Sequence, residues 1–218
     1  MKFTFGIITT NKIDNKVFDS IYKQQIPKFE IIVVGGNNTS NSNLIHIPFN
    51  ENEGKFTKKK NIITKEAKYE NIVFMHDYIS LDDNWYKGFK NFNNNWDVCM
   101  NKIYNTDKSR YRDWVLYDDP KVNWPGGGYP QIHGNNGHSM ILPPYNYPST
   151  KYMTISGAYW VAKKYVMQQQ PLDESLGWGE GEDAEWSKRI LSKFKYKMNV
   201  NSSVTLLKNK RLSAKYLD

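Results

Sequence analysis

The sequence predicts an α/β fold in which a mostly parallel central sheet is flanked by helices. Three observations point there. Short apolar, β-branched runs recur at residues 3–9, 30–34 and 71–75, and segments of helical periodicity alternate with them. Each run also ends in small or polar residues, at Thr9-Thr10-Asn11, Gly35-Gly36-Asn37 and His76-Asp77. In such sheets ligands bind beyond the carboxyl ends of the strands, so three loops can converge on one ligand.

In chain order, residues 3–9 form a buried strand that delivers a polar loop. Asp14 caps a helix over residues 15–24, where Val17, Phe18, Ile21 and Tyr22 share a face and Pro27 closes the segment. Residues 30–34 make the second strand, halted by Gly35-Gly36-Asn37-Asn38, a loop that tolerates positive φ and close backbone approach. A helix starting near Thr57 is marked by Phe56, Ile62, Ile63 and Ala67, and it leads to the strand at residues 71–75. Asp82 or Asp83 then opens a helix carrying Trp85 and Phe89.

From residue 105 to 148 the alternation fails, and aromatic residues, prolines and Gly126-Gly127-Gly128 crowd an irregular stretch that reads as a functional insertion. Arg110, Arg112 and Asp113 are expected to pair and pin it. Trp114, Trp124, Tyr129, His133 and His138 could line a cleft, although a small aromatic core is the commoner use of such residues. Residues 152–160 read as a strand and 162–169 as a helix stopped by Pro171. Residues 182–193 form a helix with Trp186, Ile190 and Leu191 on one face, and 196–207 a weakly alternating edge strand before the basic stretch 208–215. There is no internal repeat and no linker, so residues 1–218 are expected to make one domain.

A composition of 39% hydrophobic, 15% aromatic and 24% charged residues excludes disorder and a membrane-embedded chain. No segment approaches the roughly 18 apolar residues of a spanning helix, and the apolar start breaks at Thr9-Thr10, too early for a secretory leader. Cys99 is the only cysteine, which rules out an intramolecular disulfide and a Cys-based zinc site; a reducing, cytoplasmic location is expected. The net charge of +8 favours a polyanionic partner, whether nucleic acid, anionic membrane or a nucleotide diphosphate.

Three constellations can carry chemistry. Asp77 closes the strand at residues 71–75, where a rigid carboxylate suits a metal ligand, and His76 beside it can add an imidazole or contact phosphate. Lys55, Lys58, Lys59 and Lys60 stand at the start of the preceding helix; Lys55 and Lys59 read as a solvated face, while Lys58 or Lys60 points to the ligand. Gly177-Trp178-Gly179-Glu180-Gly181-Glu182-Asp183-Ala184-Glu185-Trp186 sets an aromatic face and carboxylates beside one cleft, as needed to grip a sugar. The crowded acids there should raise a neighbour's pKa and make Asp183 a better base.

These constellations follow the order and spacing of GT-A-fold glycosyltransferases, which the chain resembles over most of its length. The Rossmann-like fold of that family, with an acceptor-side insertion, is what the resemblance implies, residues 1–104 being the nucleotide-sugar-binding half and 105–218 the acceptor-binding and catalytic half. The segment 177–186 is similar to the Trp-Gly, Glu-Asp segment of inverting members, galactosyltransferases included. By that likeness the activity is transfer of a sugar from a nucleotide diphosphate, UDP by analogy, to a hydroxyl on a glycan or other acceptor. Thr9, Thr10, Asn11, Gly35, Gly36, Asn37, Lys58, Lys60 and His76 would then border the nucleotide, and Asp77 would hold Mn²⁺ or Mg²⁺ on the diphosphate. Gly157, Ala158, Trp178 and Glu182 would lie near donor sugar and acceptor, with Asp183 as general base.

Two departures from the family's pattern stand out. The metal motif has one acid, Asp77, where two are usual, and no histidine follows Asp183; Lys208 or Lys210 is the alternative group for neutralising a diphosphate. Neither nucleic acid nor a transmembrane segment is expected in this reading. Its competitors are a basic nucleic-acid-binding module, a sugar-nucleotide pyrophosphorylase and a non-catalytic sugar-binding relative.

Overall fold

The apolar runs bury both of their faces, which an isolated strand cannot do, and they achieve it by sharing one sheet covered by helices. In the computed structural model, residues 1–37, 44–120, 140–177, 179–208 and 210 are described. The first half holds β1 (Phe3–Ile8), α1 (Asn15–Tyr22), β2 (Phe29–Val34), β3 (Leu44–Ile47), a 3-10 turn at Glu51–Glu53, α2 (Phe56–Glu66), β4 (Asn71–His76), β5 (Ile79–Leu81), α3 (Trp85–Phe92) and β6 (Val98–Tyr104). It continues through β7 (Val115–Tyr117), β8 (Met140–Ile141), β9 (Met153–Thr154), β10 (Tyr159–Lys163), α4 (Lys164–Gln169), α5 (Glu182–Ile190) and β11 (Tyr196–Leu206).

Eight strands form the main sheet in the order β3-β2-β1-β4-β10-β6-β11-β5. β1, β2, β3 and β4 pair in parallel, as does β6 with β11, while β10 and β5 run antiparallel to their neighbours. This is the Rossmann-like GT-A arrangement. Strands from before and after residue 104 share it, with β10 between β4 and β6 and β11 between β6 and β5. No helix among the described residues is long and apolar enough to cross a membrane.

Local chemistry explains the well-read elements. Asp14 is the N-cap of α1, its carboxylate accepting the Lys16 N–H at 2.9 Å, and Val17, Phe18 and Ile21 are buried behind it. The strand at 152–160 is instead two strands. β9 belongs to a three-stranded antiparallel sheet with β7 and β8, β10 to the main sheet, and the chain crosses between them at Ser156-Gly157-Ala158. The tail strand is not an edge. β5 lies outside it, and its weak alternation reflects a bulge between Asn199 and Ser203 and α3 covering one face.

Asp82 does not cap α3 either. Its carboxylate accepts Ser203 Oγ at 2.6 Å and Thr205 Oγ1 at 2.8 Å, tying the helix entry to β11. The insertion is pinned as expected by Arg110, whose Nε lies 2.5 Å from Asp113 Oδ1. Asp113 also accepts Tyr145 OH at 2.8 Å and the Ile103 N–H at 3.1 Å, so this buried charge is answered on every side. Trp114 is core, packed beside Tyr196. Trp124, Tyr129, His133 and His138 lie outside the described residues.

α3 approaches β11 so closely that a Cβ at Gly88 would lie 2.3 Å from both the Asn201 carbonyl oxygen and Ser202 Oγ. Gly88→Ala should therefore destabilise the protein by about 1–3 kcal/mol by overpacking, despite alanine's higher helix propensity. Chemical denaturation reads this directly; an alanine variant as stable as the parent would mean that the two elements part at no cost.

Candidate functional site

At the carboxyl ends of β1 and β2 the loop is shaped by an ion pair between a buried lysine and a partly exposed glutamate. Lys59, expected on a solvated face, is 1% exposed, and its Nζ donates to both carboxylate oxygens of Glu51, at 2.9 and 2.7 Å, and to the Thr9 carbonyl. Glu51 Oε1 in turn accepts the Gly36 N–H at 3.1 Å. Gly35 sits inside this clamp at φ +87°, and a Cβ there would lie 2.3 Å from Glu51 Oε1 and 2.4 Å from the Thr9 carbonyl oxygen. Only glycine meets both demands.

Beyond the clamp a cavity of about 160 Å³ opens, lined by the predicted Thr9, Thr10, Asn11, His76 and Asp77 together with Phe56, Tyr78, Lys208 and Lys210. The Thr9 hydroxyl donates to Asp77 Oδ2 at 2.6 Å and accepts the Asn11 N–H at 3.0 Å, which joins the ends of β1 and β4. The His76 ring stands edge-on to Phe56, with centroids 5.4 Å apart, and 5.3 Å from the ring of Tyr78. Burial drives the His76 pKa well below 6.5, and the charges of Lys60, Lys210 and Lys208 push the same way against a hydrogen bond with the Gly157 backbone. The imidazole is neutral at pH 7.

The sugar-side residues gather around Gly157, at the crossing between the two sheets. Its N–H donates to Asp183 Oδ2 at 3.1 Å, and its carbonyl accepts Lys60 Nζ at 3.0 Å. The Ala158 carbonyl accepts the His76 N–H at 3.1 Å. Asp183 lies in the first turn of α5, where its other oxygen accepts the Ala184 N–H at 2.8 Å. It also faces a smaller cavity shared with Arg112, Tyr117, Thr154 and Ser156, in which Arg112 Nε is buried without a hydrogen-bond partner.

Lys60 is 1% exposed, with its ammonium 4.5 Å from the Trp160 ring; burial lowers its pKa while Glu182 and Asp183 raise it. Burial and the Asp183 charge raise Glu182, and Lys60 opposes them. The crowding of acids expected around Asp183 is partly dispersed, because Glu185 pairs with Arg189 at 2.5 Å and Glu180 accepts the Gly177 N–H.

Of the protein ligands an expected cation would use, the described residues supply little beyond Asp77. Asp77 is the one carboxylate among the described residues lining the larger cavity, and nowhere among the described residues do three His, Cys, Asp or Glu side chains gather. The surroundings are cationic: Lys208 and Lys210 share the cavity, and Lys60 acts on the adjacent imidazole. A divalent ion held by one carboxylate would sit against these ammoniums.

Of the remaining predicted residues, Gly35 and Gly36 shape the loop beside Thr9 and Asn11, and Asn37 is exposed beyond them. Lys58 turns away to Glu53 at 2.7 Å and does not line the cavity. Trp178 lies outside the described residues. Phe56 and Tyr78 were missed as site residues; the adjacency of Tyr78 to His76-Asp77 was the available signal.

No family model and no curated protein matches the chain. Solved structures of S. aureus TarS do resemble it. The 1–349 fragment with UDP superposes with a TM-score of 0.62 at 18% identity, over 94% of this chain and 61% of that one. The same fragment with UDP-GlcNAc gives 0.61 at 17%, over 100% and 62%. A further TarS structure gives 0.59 at 16%, over 94% of this chain and 36% of that one. The chain thus spans about six tenths of the length of these fragments, and what it shares with them is the fold.

The neutral His76 makes stability depend on pH. An unfolded histidine titrates near 6.5, whereas the folded one holds its proton far less tightly. As pH falls below about 6.5 the unfolded chain binds a proton that the folded chain refuses, so stability is full above that value and is lost below it. In His76→Gln the decline in denaturation midpoint between pH 7.5 and 5 should be shallower than in the parent; parallel declines would assign the loss to other groups.

Proposed function

We propose that the chain is an inverting glycosyltransferase, which moves a sugar from a nucleotide diphosphate donor, UDP in the first instance, to an acceptor hydroxyl. The observation that carries this reading is the linkage through Gly157. The backbone of that one residue ties the Thr9–Asp77 cavity, by way of His76 and Lys60, to the Asp183 carboxylate beside a second cavity. A donor lying across that peptide has its nucleotide at the ends of β1 and β4 and its anomeric carbon near Asp183. The shared fold with S. aureus TarS, seen with UDP and UDP-GlcNAc, supports the donor class.

In this mechanism Asp183 takes the proton from the attacking hydroxyl, on the face opposite the leaving group, which inverts the anomeric carbon. The two N–H groups that Asp183 accepts hold its carboxylate in one orientation, as a base must be held. Glu182, the Gly157-Ala158 turn and Trp178 are assigned to the sugar. Arg112, Tyr117 and Ser156 border the acceptor side, where Arg112 has an unused donor. The leaving diphosphate requires positive charge at the Asp77 end of the crevice.

A panel of UDP- and GDP-sugars, read as thermal stabilisation and as slow donor hydrolysis, tests the reading. Selective stabilisation with hydrolysis supports it. Stabilisation without turnover would indicate a sugar-binding relative, and salt-sensitive binding of oligonucleotides alone a nucleic-acid module. Asp183→Asn should lower turnover about 10²–10⁴-fold while donor affinity changes little. Unchanged turnover would remove Asp183 from the reaction.

A further inference from the structure

Lys208 and Lys210, after β11, bring two ammoniums to one aromatic ring. Leu206 pairs with Ile79, and the Leu207 N–H donates to the Tyr78 carbonyl at 2.8 Å, which brings Lys208 to Tyr78. Lys208 Nζ lies 4.5 Å and Lys210 Nζ 4.3 Å from the centroid of that ring. Both lysines line the cavity that holds Thr9, His76 and Asp77. Two like charges on one ring repel each other, and the single carboxylate opposite is already engaged by the Thr9 hydroxyl. Burial and the Lys208 charge lower the Lys210 pKa, and only Asp77 raises it. Among the described residues the cavity lining therefore carries more positive than negative charge, which suits an anion.

We propose that Lys208 and Lys210, stacked on Tyr78, bind the donor's diphosphate directly and so take the place of a divalent cation in this chain. The inference rests on the glycosyltransferase reading. Two ammoniums answer the two charges of a sugar-nucleotide diphosphate, while Asp77 stays engaged by the Thr9 hydroxyl. The same pair stabilises the nucleoside diphosphate as the bond to the sugar breaks and the electron pair goes to its terminal oxygen. The stacked rings hold the ammonium groups in place before the donor arrives, which favours binding in a partly desolvated cavity.

Calorimetric titration of the full chain with UDP, in a chelator and again with Mn²⁺, tests this without recourse to turnover. The affinity should be the same within about threefold in the two buffers. In chelator, Lys208→Ala and Lys210→Ala should each weaken UDP about tenfold or more, as expected for loss of a charge-assisted contact, while Lys210→Arg retains most of it. Asp77→Asn, which preserves an acceptor for Thr9, should still bind UDP in both buffers, whereas loss of a required metal ligand would abolish binding. The lysines are exposed, so melting temperatures of these variants should match the parent. UDP binding that appears only with Mn²⁺, that vanishes in Asp77→Asn, or that is unaffected in both alanine variants overturns the lysine assignment and leaves the enzyme reading standing. Absence of binding by UDP and GDP in either buffer overturns both.

Discussion

The candidate site depends on the backbone of one residue, Gly157. Its N–H is committed to Asp183, its carbonyl to Lys60, and the His76 ring bonds to the same backbone. A Cβ at this position would lie 3.0 Å from Asp183 Oδ2 and 3.3 Å from Glu182 Oε1, so the acids can close on the turn only because no side chain is there. The turn lies where the chain leaves the small sheet for the main one, and β10 runs antiparallel to β4. That reversal puts the start of β10 beside the end of β4, which is why groups about 80 residues apart in sequence share a crevice.

The buried cations follow the same logic. Lys59, Lys60 and Lys163 are each nearly or wholly out of solvent, and each is met by specific acceptors: Glu51 and Thr9 for Lys59, Gly157 for Lys60, Asn71 and Asn94 for Lys163. A buried charge with a missing partner costs several kcal/mol, so these pairings fix the loops at the strand ends as firmly as apolar packing would. Part of the basic excess in the sequence is thus internal framework. It does not build a surface for a polyanion, and Lys208 and Lys210 differ from it in being exposed and in facing a cavity.

Much of this was legible in the sequence. The first strands and the helices α1 and α5 carry clear period, and two of the three strand-end loops, Thr9-Thr10-Asn11 and His76-Asp77, line the larger cavity. What escaped notice has identifiable causes. β3, β5, β7 and β8 are two to four residues long and lack room to show a period. β6 is buried on nearly every residue, so it shows no alternation, and its Asn101 is a polar residue held inside by Tyr159. The tail strand looked like an edge because its alternation is interrupted by a bulge, whereas β5 pairs outside it through only three residues.

Residues whose placement was legible and those whose placement was not differ in kind. Thr9, His76 and Asp77 reach a cavity because polar groups at the carboxyl ends of strands face the crevice there, and Asp183 reaches one from a helix start. The lysines could not be sorted by the same rule, since Lys58, Lys59 and Lys60 are adjacent and chemically identical. Their fates diverge with the helical rotation of about 100° per residue: Lys58 reaches solvent and Glu53, Lys59 the Glu51 clamp, and Lys60 the Gly157 carbonyl. The face that α2 buries is set by its packing on β1, β2 and α4, a tertiary fact that a weakly amphipathic lysine run does not announce. Charge at a helix start therefore predicts an electrostatic role, but only packing decides whether that role is toward a ligand or toward the protein's own backbone.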